Sequence, residues 1–401
     1  MASPIPSAAA AALLLFIAVP AASQKLPPLP RERRLDEGLI LRRDSATGEL
    51  RYAPRNKPDS AAPGAEQHSS SSPAAIRVRV NLVEVSAGVF ASSGEHISGL
   101  TRDAFRLFED GAERPIDYFD ASSEPARVAL VLDVSPSVLR EWKELQEAAR
   151  ALAAGLAPQD EMAVVAFAQH TKLLLPFTSD RPLLDRALAA AEVNRTEPAG
   201  SGSEIYRSVF LAAKELFGDP SSPAAPAAAR RGRKAMILLT DGQDSGLGLS
   251  WSPASALPSA DRPHRLTFED VCRALASAGI EVYAVTTQGR PRGMTNVWLA
   301  ANSNASLLTP RARELGWTHY TLYLAELVRR AGGQLIFLRE ARTLAGAWQR
   351  IAASLRAQYT LGFYPPAAGR AATGWHSLRV EVPSRPDVKT AHRAQYYSPA
   401  P

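Results

Sequence analysis

Five oxygen-bearing side chains stand where hydrophobic runs end. Asp133, Ser135 and Ser137 form an Asp-x-Ser-x-Ser turn directly after the run VALVL. Asp241 follows the run MILLT, and Ser203 opens the helical segment SEIYRSVFLAAKEL behind the turn Gly200-Ser201-Gly202. Two carboxylates and three hydroxyls are hard ligands. They suit Mg²⁺ (or Mn²⁺), a class of cation that asks for about six oxygens, at ~2.0–2.1 Å for magnesium, and keeps some waters. The alternate spacing lets the turn aim every second side chain at one point. A site so thinly supplied with protein charge leaves room for a carboxylate from a partner, which is binding chemistry.

Singly, each residue has a simpler structural reading. Asp133 and Ser135 are favoured helix caps, Ser203 with Glu204 behind it would cap its own helix, and Asp241-Gly242 is an ordinary turn pair. Jointly, in this order and at these strand ends, one metal site accounts for them better. Asp244, close by, is either a solvated loop acid or an assistant acting through water.

Such residues meet only if the ends of neighbouring strands are brought together. After Pro125 the spacing predicts strands at 127–134, 161–168, 171–177, 235–240, 280–286 and 334–339. Helices are predicted at 137–156, 182–192, 204–217, 268–278, 321–331 and 343–357. Short, continuously apolar strands alternating with amphipathic helices make an α/β fold, a doubly wound, mostly parallel sheet flanked by helices. Ligands in such sheets bind outside the carboxyl ends of the strands. The long irregular stretches 243–267 and 287–320 leave that same edge, which favours a part in ligand contact.

The flanks read differently. Residues 1–23 have the apolar stretch and the small residues Ala21-Ala22-Ser23 of a secretory signal peptide, and the stretch is too short for the ~20 residues of a membrane span. Residues 24–75, rich in Pro, Ser and charge, are expected to be a disordered linker. In 76–124, IRVRVNLVEVSAGVF alternates with period two and a hairpin is expected around Glu109-Asp110-Gly111, giving a small β-rich module. The α/β domain is placed at 125–358. The tail 359–401 is expected to supply strands that pair with the N-terminal module and hide its edges.

Composition narrows the classes. A chain of 401 residues with 46% hydrophobic residues has room for two or three domains. A net charge of +6 is mild for this length, and the densest basic cluster, Arg230, Arg231, Arg233 and Lys234, reads as a solvated loop leading into a strand. No nucleic-acid partner is expected. Cys272 is the single cysteine, so no internal disulfide can form, and it is read as a small buried apolar residue. No G-x-G-x-x-G follows the first α/β strand, no P-loop or G-x-S-x-G is present, the histidines lack zinc spacing, and Ser135 stands where an aspartyl-phosphate enzyme would want a second acid.

The three segments Asp133-x-Ser135-x-Ser137, Ser203 and Thr240-Asp241-Gly242 resemble the metal ion-dependent adhesion site of von Willebrand factor A (VWA) domains. More narrowly, the chain resembles the VWA-related proteins described from Acidobacteria, in which a GLTRDAFRLFEDG-like segment precedes the domain and a YTLGFYP-like segment closes it. Those segments lie at 99–111 and 359–365, and the resemblance spans residues 76–398. It implies Asp133, Ser135, Ser137, Ser203 and Asp241 as metal ligands, a protein partner offering an acidic side chain, and no catalysis. Two departures stand out: Ser203 where Thr is usual, losing a methyl that stiffens the rotamer, and Pro136 where Gly is usual, restraining the loop. The function expected is metal-dependent protein binding or adhesion by an exported protein of the periplasm, cell surface or medium. The alternatives are a structural scaffold with a degenerate, metal-free site and, with least support, a hydrolase or other enzyme.

Overall fold

Parallel pairing of the apolar runs builds the centre of the molecule. The computed structural model describes residues 28–37, 39–43, 50–54, 82–92, 95–121, 125–193, 203–218, 232–244, 266–290, 293, 295, 319–338, 348, 351–352, 355, 358–365 and 374–398. Seven strands come first: β1 (Arg33–Arg34), β2 (Leu39–Arg43), β3 (Leu50–Pro54), β4 (Val83–Ala91), β5 (Arg106–Glu109), β6 (Ala112–Arg114) and β7 (Tyr118–Asp120). The α/β part begins with β8 (Ala126–Asp133), α1 (Trp142–Gly155), β9 (Glu161–Phe167), β10 (Thr171–Thr178) and α2 (Arg181–Val193). It continues with α3 (Ile205–Ala212), β11 (Arg233–Thr240), α4 (Phe268–Ala278), β12 (Ile280–Thr286), α5 (His319–Ala331) and β13 (Leu335–Phe337). Last come β14 (Gln358–Phe363), β15 (Gly374–Glu381), β16 (Val388–His392) and β17 (Gln395–Ser398).

The central sheet has the order β1-β10-β9-β8-β11-β12-β13. From β9 to β13 the neighbours are parallel, while β10 and β1 run antiparallel at one side. This is the doubly wound, mostly parallel sheet expected. Alternation along each strand divides its side chains between two cores. Ala129 and Val131 of β8 and Met236 and Leu238 of β11 pack with α3, α4 and α5. Val128, Leu130 and Leu132, with Ile237 and Leu239, pack with α1, α2 and the helical residues Trp348, Ile351 and Leu355. Each Val, Leu, Ile or Met side chain among them, fully buried, contributes about 1.5–3 kcal/mol relative to exposure.

Local signals explain why the helices start and stop. α4 opens on a capping box, in which the Thr267 side chain accepts the Asp270 amide and the Asp270 side chain accepts the Thr267 amide. It ends at Gly279, whose φ of 66° is the left-handed cap a glycine adopts without strain. α1 buries Trp142, Leu145, Ala149 and Leu152, the i, i+3, i+7 stripe of an amphipathic helix.

The flanking strands form two four-stranded antiparallel sheets, β16-β4-β14-β7 and β17-β15-β5-β6, which enclose a third core of Val85, Val89, Leu107, Leu361, Phe363 and Val380. The segment after residue 358 thus pairs with the segment before 121: β14 with β4 and β7, and β15 with β5. The hairpin falls at Asp110-Gly111, both at positive φ (48° and 82°), as a tight two-residue turn requires. β16 and β17, close in the chain, belong to different sheets.

Two readings need correction. The linker expected over 24–75 is not unstructured where it is described. β1 pairs with β10 at the sheet edge, β2 pairs with β3, and Leu35 and Leu50 are 2% and 3% exposed within the core shared with α3, α4 and α5. Composition understates such a segment because its few apolar residues bury against surface that the rest of the chain has built. Arg233 and Lys234 are likewise not in a solvated loop; they are the buried first residues of β11, with Lys234 Nζ donating to Ala278 O at 3.2 Å. Cys272 is buried on α4, and burial pushes its thiol up to about 12. The expected signal at 1–23, Arg230 and Arg231, 245–265, 296–318 and most of 343–357 lie outside the described residues. Among the described residues no helix is long and apolar enough to cross a membrane.

Candidate metal centre

Chain direction places the site. From β8 the path moves to β9 and β10 on one side, and from β11 to β12 and β13 on the other. The winding therefore reverses between β8 and β11, where an open α/β sheet leaves a crevice at its carboxyl edge. Register then decides which side chains meet there. Leu132 pairs with Leu239, so the next residues, Asp133 and Thr240, lie side by side. Both continue the alternation that points Ala129, Val131, Met236 and Leu238 toward α3.

Asp133 is fully buried and is the hub of the cluster. Its Oδ2 accepts the Thr240 hydroxyl at 2.6 Å and the Ser203 hydroxyl at 3.2 Å. Its Oδ1 accepts the Ser135 amide at 3.0 Å, an Asx turn that folds the first loop back on itself. The Ser135 and Ser137 hydroxyls are 3.1 Å apart, Ser135 buried and Ser137 exposed. Pro136 begins a 3₁₀ turn, Pro136–Glu141, a position at which its fixed φ and missing N–H cost nothing. The loop keeps its aim despite the proline.

Ser203 does not serve as a plain cap. Its hydroxyl donates to Asp133, while Glu204 holds the cap position of α3 without capping a helix amide, its carboxylate accepting from the Arg207 side chain at 2.8 Å instead. The Glu204 amide donates to Ala168 O at 2.9 Å, tying this loop to the end of β9.

Asp241 is 3% exposed and sits one residue beyond Thr240. Its Oδ1 accepts the Gln243 amide at 2.9 Å and its Oδ2 the Gln243 side-chain nitrogen at 3.1 Å. Gly242, at φ 83°, turns the chain and donates its amide to Thr240 Oγ1 at 3.0 Å. Asp133, Ser135, Ser137 and Ser203 are thus joined by hydrogen bonds, and Asp241 adjoins them through its charge.

Burial, first, raises the Asp133 carboxyl to about 6; the Asp241 charge adds to the rise, and hydrogen bonds from Ser135 and Thr240 oppose it. Among the described residues no Arg, Lys or His pairs with either carboxylate. Two buried acids without a cation are a deficit that a bound cation would fill. The donors are all oxygens, and among the described residues no cluster of three His, Cys, Asp or Glu side chains offers a softer site. The residues fit a hard divalent cation.

Residues 128–243, which span all three loops, match the family model of the von Willebrand factor type A domain. The chain carries a VWA domain. The solved structures similar to it are so at low identity. An aerotolerance-related membrane protein from Bacteroides fragilis is 18% identical over 57% of this chain and 98% of its own, with a TM-score of 0.36. A von Willebrand factor type A protein from Catenulispora acidiphila is 14% identical over 80% and 66%, with a TM-score of 0.37. Proximal thread matrix protein 1 of the mussel byssus, with a zinc-occupied MIDAS motif, is 14% identical over 62% and 49%, with a TM-score of 0.37. No curated protein matches the chain.

Two residues that bond to the candidate donors or their loops were not among the ligands expected. Thr240 was seen only as part of a turn, although its place two residues past Leu238 on the same strand face carried the signal. Asp244, read as either a solvated loop acid or an assistant acting through water, is 6% exposed and accepts the Tyr206 amide at 3.3 Å. Nothing local could reveal a partner 38 residues away.

Proposed function

We propose that the VWA domain binds Mg²⁺ or Mn²⁺ through Asp133, Ser135, Ser137, Ser203 and Asp241, and that it thereby binds proteins. The carrying observation is the pair of buried carboxylates, Asp133 and Asp241, with no cationic side chain beside them among the described residues. Bound there, the cation would supply open coordination positions for an acidic side chain of a partner. The protein's own part is to aim the donors. Ser203 and Thr240 orient Asp133 Oδ2, the Asx turn at Ser135 orients Oδ1, and Gln243 holds Asp241. Ser137, the exposed member, faces the approaching partner.

The signal-like residues 1–23 support export to the periplasm, cell surface or medium. The segments 99–111 and 359–365 support a place among the VWA-related proteins of the Acidobacterial type. With them goes a division into a β module from 76–124 and 359–401 and a VWA domain over 125–358.

Thermal unfolding tests the site, with the chain in EDTA and then in rising Mg²⁺ or Mn²⁺, beside Asp133→Ala. A cation at 100 times its dissociation constant stabilises by about 2.7 kcal/mol. A saturable rise in Tm that Asp133→Ala lacks is the result expected. No rise at millimolar metal would overturn the reading and leave a scaffold with a metal-free site.

A further inference from the structure

The helix that follows Ser203 has no cap of its own. An α-helix leaves its first amides without partners, and a side chain at the cap position ordinarily accepts one of them. Glu204 occupies that position in α3 and makes no such bond. A residue from another loop does the work instead. Oδ1 of Asp244 accepts the amide of Tyr206, in the first turn of α3, at 3.3 Å. Asp244 is 6% exposed and is itself held in a tight turn by its amide, which donates to Gly242 O at 3.0 Å. A carboxylate at this end also meets the positive pole of the helix dipole.

The other constraints on this end of α3 point the same way. The Glu204 amide is fixed to Ala168 O at 2.9 Å. Tyr206 is fully buried, its ring edge-on to Phe268 and Tyr323 at centroid distances of 5.3 and 6.4 Å. Ser203 therefore stands between an anchor on β9 and an anchor on the loop after β11. Only the second belongs to the loop that carries Asp241. With Oδ1 engaged by an amide, Asp244 acts on the site through Ser203.

We infer that Asp244 is a positioning residue of the metal centre: it clamps the Ser203 loop to the Asp241 loop, so that both donors reach one cation together. The inference rests on the metal-binding reading. Its reach is greater than stability, because the residue joins two of the three loops that supply ligands.

The test uses the full chain and isothermal titration with Mg²⁺ and Mn²⁺ alone. Wild type, Asp244→Ala and Asp244→Asn are compared, with the metal-free Tm and hydrogen exchange at the Tyr206 amide measured for each. Asp244→Ala is expected to weaken metal binding about 10- to 100-fold, the usual loss when a residue orienting a ligand is removed. Exchange at Tyr206 should quicken in EDTA. Asp244→Asn, which keeps an oxygen for the amide, should recover most of the affinity. If Asp244→Ala does not fold, Asp244→Glu takes its place, its longer side chain displacing the oxygen from the Tyr206 amide. Wild-type affinity in Asp244→Ala or Asp244→Glu would overturn the clamp, as would Asp244→Asn binding no better than Asp244→Ala. Absence of binding in the wild type would instead overturn the metal reading, and the clamp with it.

Discussion

The Thr240 hydroxyl donates to Oδ2 of Asp133 at 2.6 Å, across 107 residues of chain. The same hydroxyl accepts the Gly242 amide at 3.0 Å, so one side chain ties the first loop of the site to the third. Thr240→Val preserves shape and removes both bonds. Leaving a buried amide and carboxylate short of a partner should cost about 1–3 kcal/mol in denaturant unfolding without metal. Mg²⁺ affinity should fall by roughly tenfold or more. Thr240→Ser should keep both properties. A Val variant that binds Mg²⁺ like wild type would remove Thr240 from the site.

Arg43 and Asp270 form a two-pronged ion pair at 2.9 and 2.6 Å, with 10% and 3% of their side chains exposed. It fastens the N-terminal hairpin to α4, where Asp270 also completes the capping box. Removing one partner of a buried pair costs about 3–5 kcal/mol, and the Thr267 bonds that remain on Asp270 place Arg43→Ala at the lower end. Equilibrium unfolding would measure it. A loss under about 1 kcal/mol would mean that the hairpin contributes little to holding the fold.

His392 supplies a pH dependence. Its Nε2 accepts the Val380 amide at 3.2 Å and its Nδ1–H donates to Arg393 O at 2.8 Å, a pattern only the neutral ring can make. Burial holds its pKa below the ordinary 6.5, the Arg393 charge adds to the fall, and the bond to Arg393 O opposes it. A depressed pKa means stability that is present above 6.5 and lost as pH falls from there through the folded value. Wild type should therefore lose more stability than His392→Gln between pH 7 and 5. Parallel pH profiles would refute this.

Gly333 packs its backbone on β12. A Cβ there would lie 1.9 Å from Val282 O, and backbone cannot swing aside. Gly333→Ala should force the turn after α5 away and cost at least ~1–3 kcal/mol, read by denaturant unfolding. Gly289, with nothing within 4 Å of its Cβ position, is the control. Gly289→Ala should stay within about 0.5 kcal/mol of wild type.

Much of this molecule was legible in its sequence. The apolar runs within 161–168, 235–240 and 280–286 became strands because continuous apolar character can be satisfied only between two layers of helix. The candidate oxygen donors stand out for a related reason. An acid or a pair of serines at the end of such a run cannot enter the core and must lie at the sheet's edge. What failed were judgements made from composition alone. Leu35, Leu50 and Arg43 order a segment that its overall polarity would leave loose, because each finds a prepared partner on the α/β core.

The residues alone show where the central strands lie, which faces are apolar, and which oxygen donors stand at the edge. Those properties are local and repeat with the periods of the backbone. Folding alone settles that Thr240 bonds Asp133, that Asp244 caps the helix following Ser203, and that Asp270 meets Arg43. The physical reason is that a hydrogen-bonding group is indifferent to which complementary group satisfies it. Sheet order and strand register make that choice, and both are settled by packing between segments far apart in the chain.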